Sequence, residues 1–367
     1  MRVAFTLEQC WHAVPGGTAV AALELARAID ARENIELVGV AARHRSDPPD
    51  PWRPPIPVAQ LPLPRLVLYE AWHRLRRPSV ERATGPVDVI HATGIAMPPA
   101  TRPVVSTVHD LSYLDYPEMF SRQGLRFFRR ALELTLSDAR LVLCSSLATL
   151  ERCREAGFDE ARLRHVPLGV RVEPVTDEQV AAVRTRYGLE RDYVLWTGTV
   201  EPRKNLRGLL RAFAQVEATV ELALVGPPGW NEDLESVLDA LPHPVRARIH
   251  RLGWVSREDL GALYAGAAVF CFPSLLEGFG FPVVEAMAHG TPVVTSTGTS
   301  TEELVADGAG LALAPTDTDA IADAISRLLT DDALAAGLAA AGRTRASEYT
   351  WERSAMLVEQ SYVDAAG

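Results

Sequence analysis

The sequence predicts an α/β protein built from two Rossmann-like, doubly wound parallel sheets. Three observations carry this reading. Short apolar runs alternate with helical stretches almost from end to end, the pattern of parallel strands joined by crossover helices. The alternation breaks near Val166-Pro167-Leu168-Gly169-Val170, passes Glu173-Pro174, and then starts afresh. Glycine-bearing turns that open helices stand where strands end, and open sheets of this kind bind ligands beyond the carboxyl ends of their strands.

The first half offers strands near 2–6, 35–40, 87–91, 103–108 and 140–144, with helices near 17–31, 66–77, 124–138 and 146–156. The proline-rich stretch 46–64 has little periodicity and reads as a loop or covering segment. The second half offers strands near 193–197, 220–225, 248–252, 268–272, 292–295 and 310–313. Helices near 205–217, 231–240, 257–266, 282–289 and 318–330 separate them, Ala-rich helices follow to about 347, and Thr350-Trp351-Glu352 opens a last one. The expected division is a first domain over 1–171, a second over 172–349 and a terminal helix over 350–367.

Bulk properties narrow the function. A chain of 367 residues, 47% hydrophobic and 23% charged, is an ordinary globular protein long enough for two domains. A formal net charge of −10 argues against nucleic-acid binding, which relies on neutralising phosphates. No stretch reaches the roughly 18 apolar residues of a membrane span. Met1–Thr6 runs straight into a strand without a secretory pattern, and Cys10, Cys144, Cys153 and Cys271 lack metal-ligand spacing. A cytoplasmic protein with reduced thiols is the expectation.

The chemistry concentrates in Glu277-Gly278-Phe279-Gly280-Phe281-Pro282-Val283-Val284-Glu285, between the apolar run 268–272 and a helix that Pro282 opens. Its two glycines let backbone approach a ligand, and a helix N-terminus after such a loop favours anions. Glu277 and Glu285 repel phosphate and suit hydroxyl groups. Amides for phosphate beside acids for hydroxyls suggest a sugar nucleotide. Among 37 lysines and arginines there is one lysine, Lys204, and it lies in a second strand-to-helix turn, Gly198-Thr199-Val200-Glu201-Pro202-Arg203-Lys204-Asn205. That place makes Lys204 a phosphate contact, although codon bias with one survivor gives the same count.

In the first half, Pro15-Gly16-Gly17-Thr18 precedes a helix and lacks the spaced dinucleotide fingerprint. Its amides suit a diphosphate, and it serves equally as turn punctuation. His109, after the run 104–108, is placed to donate to a sugar oxygen, to adjust the charge near a reacting carbon, or to hydrogen-bond the backbone of its turn. Asp110 orients His109, contacts an acceptor or caps the next turn. Asp317-Thr318-Asp319 reads as a helix cap, and no metal site is expected. Segments 65–77, with Trp72 on the acceptor side, and 122–130 are basic and aromatic together. Such helices lie on anionic lipid at the inner face of a membrane, and a solvated face around a core stripe has the same pattern.

Taken together, Pro15-Gly16-Gly17, His109-Asp110, Val166-Pro167-Leu168-Gly169, Glu201-Pro202-Arg203-Lys204-Asn205 and Glu277 through Glu285 resemble glycosyltransferase family 4 over nearly the whole chain. The resemblance implies a GT-B fold: two Rossmann-like domains facing a cleft, with the terminal helix crossing back to the first. It implies a retaining transferase that moves a hexose such as mannose from a nucleoside diphosphate sugar to a hydroxyl on a glycan, lipid-linked glycan or small molecule, without cofactor or metal. Arg203 and Lys204 would hold the diphosphate near the amides of Gly278, Phe279, Gly280, Phe281, Gly16 and Gly17. Glu285 would take the ribose, Glu277 the transferred sugar, and His109 the sugar's reacting face. Thr199 stands where many members carry an arginine, and Val255 lies in the turn where relatives contact the base. A sugar-nucleotide epimerase or a non-catalytic sugar-nucleotide binder would share the architecture.

Overall fold

The computed structural model describes residues 1–217, 219–229 and 234–367. They form two compact units, Met1–Gly169 with Thr350–Gly367, and Val170–Tyr349. The first holds a parallel sheet of β1 (Arg2–Thr6), β2 (Glu36–Ala41), β3 (Val58–Gln60), β4 (Val89–Ala92), β5 (Val104–Val108), β6 (Ala139–Cys144) and β7 (Leu163–His165), in the order β3-β2-β1-β4-β5-β6-β7. Val3, Ala4, Val89, Ile90, Val104 and Val105 are fully buried, because helices cover both faces of the sheet. That is why these strands read as continuous apolar runs rather than alternating ones.

Trp351–Ala366, the terminal helix, belongs to this first unit and packs along helix Gly16–Asp30. Its buried Tyr362 hydroxyl lies 2.6 Å from His91 Nδ1, and His91 Nε2 lies 2.8 Å from Thr107 Oγ1. Burial lowers the His91 pKa to about 3, so the ring is neutral. The helix start is fitted as closely. A Cβ on Gly169 would come within 2.3 Å of the Trp351 nitrogen.

The second unit holds β8 (Tyr193–Thr197), β9 (Glu221–Val225), β10 (Ile249–Gly253), β11 (Val269–Phe272), β12 (Val293–Ser296) and β13 (Leu311–Leu313), all parallel, in the order β10-β9-β8-β11-β12-β13. In each unit the chain winds outward on one side and then jumps back to wind the other way. The reversal falls between β1 and β4 in the first and between β8 and β11 in the second. Crevices at such switch points are the natural ligand sites of open sheets.

Three elements depart from the expectation. Val58–Gln60 is a strand within the proline-rich segment, where an edge position tolerates the missing amide hydrogens. Leu163–His165 is the opposite edge, too short to make an apolar run. Helix Asp177–Tyr187 follows what read as a linker. Its start is a capping box: the Thr176 hydroxyl accepts from the Gln179 amide at 3.3 Å, and Gln179 Oε1 accepts from the Thr176 amide at 2.8 Å. Of the helix expected over 231–240, residues 231–233 lie outside the described residues, and Leu234–Asp239 is helical.

Candidate active site

Two loops meet at the switch point of the second unit. One follows β8 and carries residues 198–205; the other follows β11 and carries residues 273–280. They are braced to each other: the Leu275 amide donates to the Arg203 carbonyl at 2.7 Å, and Asn205 Nδ2 donates to the Pro273 and Pro315 carbonyls at 3.0 and 2.7 Å. Asn205 adopts the left-handed conformation, φ 51°, which lets it end one turn and cap helix Leu206–Phe213. Below the second loop, the buried Ser300 hydroxyl reaches the carbonyls of Glu277 and Phe279 at 2.9 and 3.0 Å.

This bracing brings the neighbours Arg203 and Lys204 to Glu277, 73 positions beyond Lys204. Lys204 Nζ donates to Glu277 Oε1 at 2.6 Å and lies 4.8 Å from the centre of the Phe272 ring. The Arg203 guanidinium stands 3.3 Å from the other Glu277 oxygen and 2.7 Å from Glu201. Burial alone would raise the Glu277 carboxyl, yet the two cations beside it hold it below the usual carboxylate value. Burial likewise lowers the Lys204 pKa, against the pull of Glu277. The cluster is therefore a largely buried group of opposite charges in direct contact, whose attraction is offset by the cost of removing them from water.

Helix Phe281–His289 begins at Gly280, whose φ of +103° excludes ordinary side chains; a Cβ there would lie 2.6 Å from Thr301 Cγ2. The helix dipole thus points its positive end at the loop carrying Gly278 and Phe279. Phe279 is buried against Phe281 and Tyr349, with ring centres 5.2 and 5.8 Å apart. Glu285 comes one turn into the helix and meets the Tyr264 hydroxyl at 3.1 Å. Burial raises its pKa to about 7, with Tyr264 and Arg257 opposing. Thr199 and Val255 flank the same end of the sheet, where the Gly198 amide bonds to Val225 and the Gly226 amide to Gly253. Tyr264 and Ser300 shape this site without having stood out in the sequence; for Ser300 a hydroxyl residue at the start of a helix was the available signal.

In the first unit, Gly16 (φ +65°) and Gly17 open helix Gly16–Asp30 after β1 and are solvent-exposed. His109 follows β5, and its Nε2 lies 3.1 Å from the Thr93 carbonyl. A carbonyl only accepts, so Nε2 carries the proton. Burial lowers the His109 pKa, so the ring is neutral and its free Nδ1 is an acceptor. Donation to a sugar oxygen would therefore require this N–H to leave the Thr93 carbonyl. Asp110 caps its own turn, accepting from the Ser112 amide and hydroxyl at 2.9 and 2.6 Å. Trp72 is corrected outright. It is 3% exposed, its indole donates to the Pro78 carbonyl, and the cavity it faces measures about 20 Å3, room for roughly one water. That cavity also exposes Glu8 and Gln9, which sequence reasoning passed over although they follow β1 as His109 follows β5. Among the described residues no group of three or more His, Cys, Asp or Glu is arranged to hold a metal ion.

The chain is similar to known proteins in sequence and in fold. Residues 15–174 match the model described as Glycosyltransferase Family 4, and residues 191–331 the one described as Glycosyl transferases group 1. The chain is 34% identical to O-antigen chain mannosyltransferase B of Escherichia coli over 75% of its length and 74% of that protein's. It is 35% identical to a GDP-mannose-dependent alpha-(1-6)-phosphatidylinositol monomannoside mannosyltransferase of Mycolicibacterium smegmatis, over 63% of this chain and 64% of that one. Its fold resembles that of Anabaena HepE, solved with UDP and glucose, at a TM-score of 0.77 and 21% identity, over 99% and 100% of the two chains. The chain belongs to glycosyltransferase family 4 and has the GT-B fold.

Proposed function

We propose that this glycosyltransferase moves a hexose, mannose, from a nucleoside diphosphate sugar to a hydroxyl acceptor with retention of anomeric configuration and without a metal. The observation that carries the donor reading is the Lys204–Glu277–Arg203 cluster beside the N-terminus of helix Phe281–His289. Breaking the sugar–phosphate bond leaves negative charge on the diphosphate and positive charge on the ring. Lys204, Arg203 and the helix dipole suit the first; the Glu277 carboxylate suits the hydroxyls of the second. Glu285, one turn on, suits the ribose. The mannosyltransferase relatives support the sugar, and one of them names GDP-mannose. Their O-antigen and phosphatidylinositol mannoside names favour a glycan or lipid-linked acceptor, met at a membrane surface.

Retention suits a site without a dedicated base, because the departing phosphate oxygen can take the acceptor's proton on the same face. Losing one fixed charge-stabilising donor costs about 3–4 kcal/mol of barrier, so Lys204→Ala should cut turnover by at least roughly 100-fold. The assay is transfer from GDP-mannose to a lipid-linked or synthetic glycan acceptor, with the product's anomeric configuration read by NMR. Near-normal turnover in the variant removes the phosphate role, and an inverted product removes the retaining assignment.

A further inference from the structure

We propose that Tyr264 is a positioning residue for donor binding: backed by Thr197, its hydroxyl holds one oxygen of the Glu285 carboxylate and leaves the other for the ligand. The inference rests on the reading of Glu285 as the acid that takes the ribose. Three elements of the second unit supply the parts. Thr197 ends β8, just before the turn that carries Lys204; Tyr264 lies in helix Arg257–Gly266, and Glu285 in helix Phe281–His289. The Tyr264 hydroxyl is 2.9 Å from Thr197 Oγ1 and 3.1 Å from Glu285 Oε2. A phenol has one proton and an ionised carboxylate only accepts, so Tyr264 donates to Glu285. Its oxygen then accepts from Thr197, whose hydroxyl has no other partner among the described residues. Glu285 Oε1 takes no hydrogen bond from any described residue.

The phenol keeps this aim because its ring cannot turn away. Tyr264 is buried, His289 stacks on it at 5.8 Å between ring centres, and Phe270 meets it edge-on at 5.4 Å. The Thr291 hydroxyl fixes its main chain, donating to the Tyr264 carbonyl at 2.5 Å. A donor held on the charged form of an acid favours that form. Tyr264 therefore orients Glu285 and also keeps it able to accept from hydroxyl groups, against the burial that favours protonation. Around the helix of Glu285, Arg257 is the other charge acting on it, and it too favours the ionised form. Asp259 is paired with Arg186, Glu302 accepts from the Gly298 amide, and Arg343 reaches the His289 carbonyl. His289 itself is lowered by burial and neutral near pH 7.

Two measurements on the full chain test this: the carboxyl carbon-13 titration of Glu285, assigned by its loss in Glu285→Gln, and calorimetry with GDP-mannose across neutral pH. Tyr264→Phe should move the carboxyl midpoint upward by about one pH unit, the scale of a hydrogen bond to a charged group. Its affinity should fall roughly five-fold near neutrality, the fold-change of that shift, and recover as pH rises. Thr197→Val should move the midpoint the same way by less, and Thr197→Ser should restore it. A cooperative thermal transition verifies that each variant is folded, and Thr197→Val carries the test should Tyr264→Phe not fold. An unmoved midpoint in the folded variants overturns the proposal. So does an affinity loss in Tyr264→Phe that is equal at every pH, the mark of simple damage. A midpoint that moves while wild-type affinity is flat with pH supports the hold on Glu285 and removes the ribose reading instead.

Discussion

Lys204 is set by neighbours of different chemistry: the Glu277 carboxylate at 2.6 Å, the Phe272 ring at 4.8 Å and the repelling Arg203 guanidinium beside it. An arriving diphosphate would compete with Glu277 for that ammonium and free the carboxylate for sugar hydroxyls. Glu285 makes the same site sensitive to pH. Burial raises its pKa to about 7, so near neutrality part of the population carries a protonated carboxyl that accepts hydroxyl hydrogen bonds poorly. Donor affinity should therefore strengthen as pH rises from about 6 to 8, while Glu285→Gln should bind more weakly with a flat profile. Calorimetric titration with a sugar nucleotide checks this, and a flat wild-type profile contradicts the ribose assignment. Lys204 and Glu277 were legible as candidates because the chain's single lysine and a carboxylate both stand at strand-to-helix turns, and Glu285 because it follows one turn into the helix. Tyr264 was not, since a tyrosine inside helix Arg257–Gly266 looks like core until the fold places its hydroxyl on Glu285.

Each supporting element has one position where it fails most easily. Gly280 joins the acid-bearing loop to its helix, in a conformation and a space that exclude a side chain. Gly280→Ala should cost about 1–3 kcal/mol of stability and weaken donor binding with it. Urea denaturation with and without donor measures both, and an unchanged midpoint counts against a strained hinge between loop and helix. The strands of both sheets were readable because burial on two faces writes them as apolar runs. The exceptions are physical: β3 and β7 are three-residue edges, and Val58–Gln60 hides among prolines that only an edge accommodates. Helix Asp177–Tyr187 was hidden by weak amphipathicity, with Val183 its only buried residue, although its capping box was in plain view. Trp72 misled for the opposite reason. Basic neighbours suggest a surface, but its own helical position faces the core.

The two units should answer pH differently. In the first, burial lowers the pKa of His12, His73, His91, His109 and His165. These histidines stay neutral in the fold while the unfolded chain takes up protons below about 6.5, so stability is lost as pH falls through that value. In the second, Glu285 works the other way: its raised pKa means stability is lost as pH rises from the unfolded value toward 7, and His289, lowered by burial, opposes it. Acidification from about pH 7.5 to 5.5 should therefore weaken the first unit more than the second. Hydrogen-exchange protection, corrected for intrinsic rates, resolves the units, and an equal loss in both contradicts the assignment. The central claim, that Lys204 and its neighbours grip a diphosphate, is tested most directly by comparing the affinities of a nucleoside diphosphate and the matching monophosphate. The wild type should prefer the diphosphate strongly and Lys204→Met should lose most of that preference; a folded variant that keeps the full preference would contradict the account.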